Sequence, residues 1–152
     1  VRIEATTVLC SFADRANPGY GQIGYYRGTG ATAIEHTMNP RTPGFVKAHR
    51  DPAHTIGRSR QTLRGHDWLT IVPAELTTIL GGAEALAATG AFTEVRPLTH
   101  GGVALLATRD FKDYNAATAE PPFHALAPVL PSAGPLLVEQ PPWTPPAFVM
   151  DR

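Results

Sequence analysis

Between residues 65 and 108 the chain sets short apolar runs between single prolines and glycines, and this pattern predicts a unit of strand, helix pair and β-hairpin. Residues 68–72 (WLTIV) are a run of aromatic and β-branched side chains, the composition of a buried strand. Pro73 stops that run. Leu76, Ile79 and Leu80 then recur at helical spacing, and a proline suits the first turn, where its missing N–H costs nothing. Gly81-Gly82 ends this helix and frees the chain to enter a second one over residues 83–88, which Gly90 closes in turn. Residues 92–98 alternate apolar and polar, His100-Gly101-Gly102 reads as a tight turn, and residues 103–108 form a strongly apolar strand.

On either side the pattern is looser. Residues 2–12 begin with alternation and end apolar, which predicts a strand running from a sheet edge towards its centre, and Asn17-Pro18-Gly19 marks a turn. A further strand is expected over residues 22–27 and a short helix over 32–38, ending before Asn39-Pro40. Residues 109–119 read as a loop turning at Asp113-Tyr114-Asn115. A helix is expected over 121–130, with Pro121-Pro122 at its start and Pro128 ending or kinking it. A last strand is expected over 136–138. Trp143 and Phe148, among paired prolines, are expected to pin an extended tail onto the body or onto another subunit. Together these elements predict an α+β (mixed α/β) single domain. Its sheet is expected to be mixed but mostly antiparallel, of about five or six strands, with the helix pair and the 121–130 helix packed on one side.

Composition narrows the picture. At 152 residues and 43% hydrophobic, the chain can bury one core, while 14 glycines and 15 prolines keep its elements short. A formal net charge of zero removes the general attraction that non-specific binding to nucleic acid or to an anionic membrane requires, so neither is an expected partner. One cysteine, Cys10, cannot form an intrachain disulfide, which fits a cytoplasmic protein. No apolar run is long enough to span a bilayer. Starting at Val1, the sequence is expected to be a processed or truncated product of a longer chain.

The one charge asymmetry lies in residues 41–64, where Arg41, Lys47, Arg50, Arg58, Arg60 and Arg64 face a single acid, Asp51. Such a segment is either a solvated surface or a docking strip for an acidic partner or phosphate. Were it a strand, Arg58, Arg60 and Arg64 would share one face by the period of two. Motifs for catalysis or metal binding are lacking: six histidines are scattered with no two at a metal-binding spacing, and Cys10 sits among apolar neighbours. No cofactor or metal is therefore expected. The glycines at 19, 21, 24, 28 and 30 lack the Gly-Lys-Ser/Thr ending of a phosphate loop and read as turn residues.

Residues from about 63 to 130 resemble the C-terminal part of the bacterial type VI immunity family. The resemblance is carried by Gly65-His66-Asp67-Trp68-Leu69-Thr70, by Leu80-Gly81-Gly82 with Leu86, and by Gly101-Gly102-Val103 with Leu105 and Ala107. Asp113-Tyr114-Asn115 and the segment Phe123-His124-Ala125-Leu126-Ala127-Pro128-Val129-Leu130 complete it. The chain departs from the family at Asp67, where an apolar residue is usual, at Thr108-Arg109-Asp110, where a Gly-Pro segment is usual, and at Ala116, where an arginine is usual. The resemblance implies an immunity-type protein that catalyses nothing and neutralises a secreted bacterial toxin by covering its active site. Arg58, Arg60 and Arg64 are then the expected part of the toxin-binding surface. The alternative expectation is a small-molecule-binding domain or hydrolase with its site near the Gly-rich residues 17–30. A homo-oligomer exchanging the Pro-rich tail is the third.

Overall fold

The structure, a computed structural model, describes residues 2–24 and 56–130. Helix α1 (Arg2–Ala16) leads into strand β1 (Gly21–Ile23), and among the described residues a 3-10 turn (Ile56–Arg58) precedes strand β2 (Leu69–Val72). The helix pair α2 (Ala74–Ile79) and α3 (Gly82–Ala88) follows, then the hairpin of β3 (Glu94–Pro97) and β4 (Val103–Leu106), and last helix α4 (Ala116–Leu126), extended by a 3-10 turn at Ala127–Val129. The strands form one antiparallel sheet in the order β1-β2-β4-β3, with Leu69 opposite Leu106, Val72 opposite Val103, and Val95 opposite Leu105. The fold is therefore α+β. Four strands among the described residues is fewer than the five or six expected, and the sheet is wholly antiparallel.

The central unit folds as its pattern predicts. Trp68 and all four residues of β2 are buried, and so are the first three of β4, because these two strands occupy the middle of the sheet and are covered on both faces. Gly81 and Gly82 have φ of 84° and 89°, a left-handed backbone that lets α2 stop and α3 start within two residues. At the hairpin tip, Leu98 N–H donates to the Gly102 carbonyl at 2.8 Å and Gly101 N–H to the Leu98 carbonyl at 3.0 Å.

Two expectations are overturned. Residues 2–16 are helix rather than strand: Thr6, Leu9, Cys10 and Ala13 turn inward at helical spacing, whereas Val8 and Phe12, which an alternating strand would help to bury, face outward. Fifteen residues without proline or glycine permit this, and packing against the sheet outweighs the weak strand preference of the β-branched residues. Asn17, at φ 44°, then ends the helix, with its N–H on the Ala13 carbonyl. The last helix starts before its prolines, not at them. The Asn115 carboxamide oxygen accepts from the N–H groups of Ala117 and Thr118, while the Thr118 hydroxyl accepts from the Asn115 N–H. This reciprocal cap carries the helix through Pro121 and Pro122.

Helix α1 adds a layer that the sequence reading lacked. It lies over β1 and β2, on the sheet face bearing Leu69, Ile71, Ala104 and Leu106. The opposite face, with Thr70, Val72, Val103 and Leu105, is fully buried in the same core as Leu76, Leu86, Phe123 and Leu126 from the other helices. The expected helix at 32–38, strand at 136–138 and tail aromatics Trp143 and Phe148 lie outside the described residues, as does the part of the expected 22–27 strand beyond residue 24.

Candidate partner-binding surface

The three arginines singled out in the sequence occupy no common strand face, because Ile56–Arg58 is a 3-10 turn and residues 59–62 continue it as turns. Each has a different setting. Arg60 is bidentate to Glu75 of α2, with Nη1 at 3.0 Å and 2.9 Å from the two carboxylate oxygens, and its other terminal nitrogen donates to the Asn17 carbonyl just past α1. One guanidinium thus joins the end of α1 to the start of α2. Arg64 is half-buried, its guanidinium 5.6 Å from the centre of the Tyr20 ring. Arg58 is exposed and has no acidic partner among the described residues.

This corner of the molecule is tightly made. An added Cβ at Gly19 would collide with the Ser59 hydroxyl, one at Gly21 would crowd Ile71, and one at Gly24 would run into the Asp67 carboxylate. The three described glycines of the Gly-rich stretch are therefore points where backbone approaches a neighbouring side chain, a packing use that accounts for them without a bound anion. Gly28 and Gly30 lie outside the described residues.

Large apolar side chains are also exposed on α1 and α2. Val8 and Phe12, one helical turn apart, are 67% and 57% exposed, and Arg15 follows on the next turn with its Nε on the Ser11 carbonyl at 3.2 Å. Ile79, one turn beyond Glu75 on α2, is exposed as well. Sequence reasoning missed Val8 and Phe12 because a strand at residues 2–12 placed them in the core. The signal was there: on a helical projection this segment is apolar on both sides, so one side must be left outside. Arg15 pairs with no acid among the described residues, whereas its neighbour Asp14 accepts from the Thr99 N–H at 3.0 Å and from Arg96 at 3.2 Å.

Two further clusters are structural. His66 is buried, its Nδ1 3.3 Å from the Tyr114 hydroxyl and its ring tilted against Phe123 at 6.0 Å. The Asp67 carboxylate accepts from the Trp68 N–H at 2.7 Å and Thr70 bonds the Asp67 backbone, so this pair fixes the entry to β2. Between α1 and the sheet, a groove of about 210 Å3 is lined by Thr6, Thr7, Cys10, Glu94, Arg96 and Leu106. Burial pushes the Cys10 thiol above its ordinary range, which disfavours the reactive thiolate. Among the described residues no cluster of His, Cys, Asp and Glu could hold a metal ion, and no helix is long and apolar enough to cross a membrane. Comparison of the chain with protein-family models, with curated proteins and with solved structures gives no match.

Proposed function

We propose that this chain is an immunity-type protein, which binds a secreted bacterial toxin and neutralises it by covering the toxin's active site. The resemblance of residues 63–130 brings the function class. The observation that carries it further is how the arginine-bearing segment is held: Arg60 is clamped to Glu75 and to the Asn17 carbonyl, and Arg64 lies against Tyr20. A surface fixed in advance loses little ordering entropy when a partner arrives, and its charges steer the encounter. Within the proposed toxin-binding set of Arg58, Arg60 and Arg64, the structural duties of the last two leave Arg58 as the exposed residue with no acidic partner among the described residues.

The test is co-expression with the product of the neighbouring reading frame in a bacterial host that this product alone arrests. Growth should resume when the chain is present. Arg58→Glu should slow association and flatten its salt dependence, with thermal stability unchanged. Continued arrest in the presence of abundant folded protein would overturn the reading.

A further inference from the structure

We infer that the groove between α1 and the β3 side of the sheet is a binding site for a small apolar amino acid, held as a zwitterion between Glu94 and Arg96. This goes beyond the immunity reading and does not depend on it.

The topology makes the groove. Helix α1 packs over β1 and β2, while the sheet continues past it to β4 and β3. Glu94 lies opposite Leu106 and Arg96 opposite Ala104, so the charged pair of β3 and the apolar pair of β4 share one face of the sheet. Leu69, Ala104, Leu106 and Cys10 give the groove an apolar floor, and Thr6 and Thr7 line it from α1.

Opposite charges at alternate positions of one strand stand about 6.6 Å apart, within reach of each other through their side chains. Here they do not pair. One terminal nitrogen of Arg96 donates to Asp14 of α1 at 3.2 Å, and Asp14 is fixed in turn by the Thr99 N–H at 3.0 Å and the Thr99 hydroxyl at 3.3 Å. Glu94 has no cationic partner among the described residues. Asp14 therefore draws the guanidinium away from Glu94 and leaves both signs of charge beside the same apolar floor. Burial pushes the Cys10 thiol up, and Arg96, Glu94 and Asp14 also act on it through space, which sets all three around that floor.

Size and charge select the ligand. The groove, at about 210 Å3, has the space of roughly seven waters, so it suits a compact molecule of roughly seven to ten non-hydrogen atoms. A simple anion would face the Glu94 carboxylate, and a simple cation would face Arg96. A molecule carrying an ammonium and a carboxylate on one carbon satisfies both. The guanidinium has five N–H donors in a planar fork, so the bond to Asp14 leaves others for a second carboxylate. An apolar side chain of the size of valine or leucine then covers the floor.

The experiment is a titration of the 15N-labelled full chain with L-leucine, followed by amide chemical shifts, with isopentylamine and 4-methylpentanoate as the same body bearing one charge only. Leucine should give saturable shifts at Cys10, Leu69, Ala104 and Leu106, with a Kd on the order of millimolar because both charges are partly exposed. Each single-charge analogue should bind roughly fivefold more weakly or worse. Glu94→Gln, at an exposed position, should melt as the wild type does and bind leucine no better than 4-methylpentanoate. Thr7→Trp, from an exposed position on α1, should fill the groove and abolish the shifts. Shifts that never saturate, an analogue that binds as tightly as leucine, or leucine binding unchanged in both variants would overturn the assignment. None of these results bears on the immunity reading, since no toxin enters the measurement.

Discussion

Trp68 is the residue on which the central unit turns, and its replacement gives the sharpest test of that architecture. The indole is 2% exposed, its Nε1 donates to the Thr108 carbonyl at 2.8 Å, and Phe111 meets it edge-on at 5.4 Å between ring centres. The contact with Thr108 spans the sheet, since Trp68 leads into β2 and Thr108 leaves β4, with the Ala107 N–H on the Trp68 carbonyl alongside. Trp68→Ala loses the transfer energy of the ring and leaves a cavity, an expected cost of about 3–5 kcal/mol. Trp68→Phe keeps most of the volume but leaves the Thr108 carbonyl without its donor, an expected cost of about 1–2 kcal/mol. Urea unfolding followed by far-ultraviolet circular dichroism reads both, and the midpoint should fall while the denaturant slope stays constant. A loss below about 0.5 kcal/mol for Trp68→Ala, the level of an ordinary surface substitution, would refute the placement of Trp68 in the core.

Further predictions concern the elements around it. Gly24→Ala should destabilise by about 1–3 kcal/mol, because the new Cβ meets the buried Asp67 carboxylate; the urea midpoint measures it, and an unchanged midpoint would contradict the close approach. Asn115→Ala removes the cap that starts α4 ahead of its two prolines and should cost about 1 kcal/mol, with a matching loss of helical ellipticity on melting. The Asp14 carboxyl is held below its ordinary range, first by the Thr99 N–H and then, against partial desolvation, by the Thr99 hydroxyl and Arg96. A carboxyl depressed in the folded state stabilises fully above its unfolded pKa and loses that contribution as pH falls through the folded value. Asp14→Asn should therefore flatten the decline of stability below about pH 4, and an acid limb identical to wild type would count against the contact.

How much of this was legible in the sequence depended on how local the signal was. The unit from Trp68 to Leu106 was readable because proline, paired glycines and the hairpin turn set its boundaries by backbone chemistry alone. The first helix was not. Ile3, Thr6, Thr7 and Val8 favour a strand in isolation, and only the sheet face bearing Leu69 and Leu106 decides that Thr6, Leu9, Cys10 and Ala13 belong inside. With that helix went its exposed face: Val8 and Phe12 could not be seen as surface while they were read as core. The arginines were identified by composition, but the division between clamped Arg60, stacked Arg64 and outward Arg58 depends on Asn17, Glu75 and Tyr20, two of them some forty residues away along the chain. In α4 the prolines drew attention away from Asn115, although Asn-x-x-Thr is a capping pattern in its own right.

Hydrogen exchange of the full chain, free and saturated with the product of the neighbouring reading frame, tests most directly whether the strand, helix-pair and hairpin unit is scaffold and the arginine-bearing segment is the recognition surface. The account predicts slowed exchange in residues 56–64 on binding, with the amides of β2, α3 and the hairpin unchanged. Protection confined to α3 or to the hairpin, with residues 56–64 exchanging as in the free protein, would contradict it.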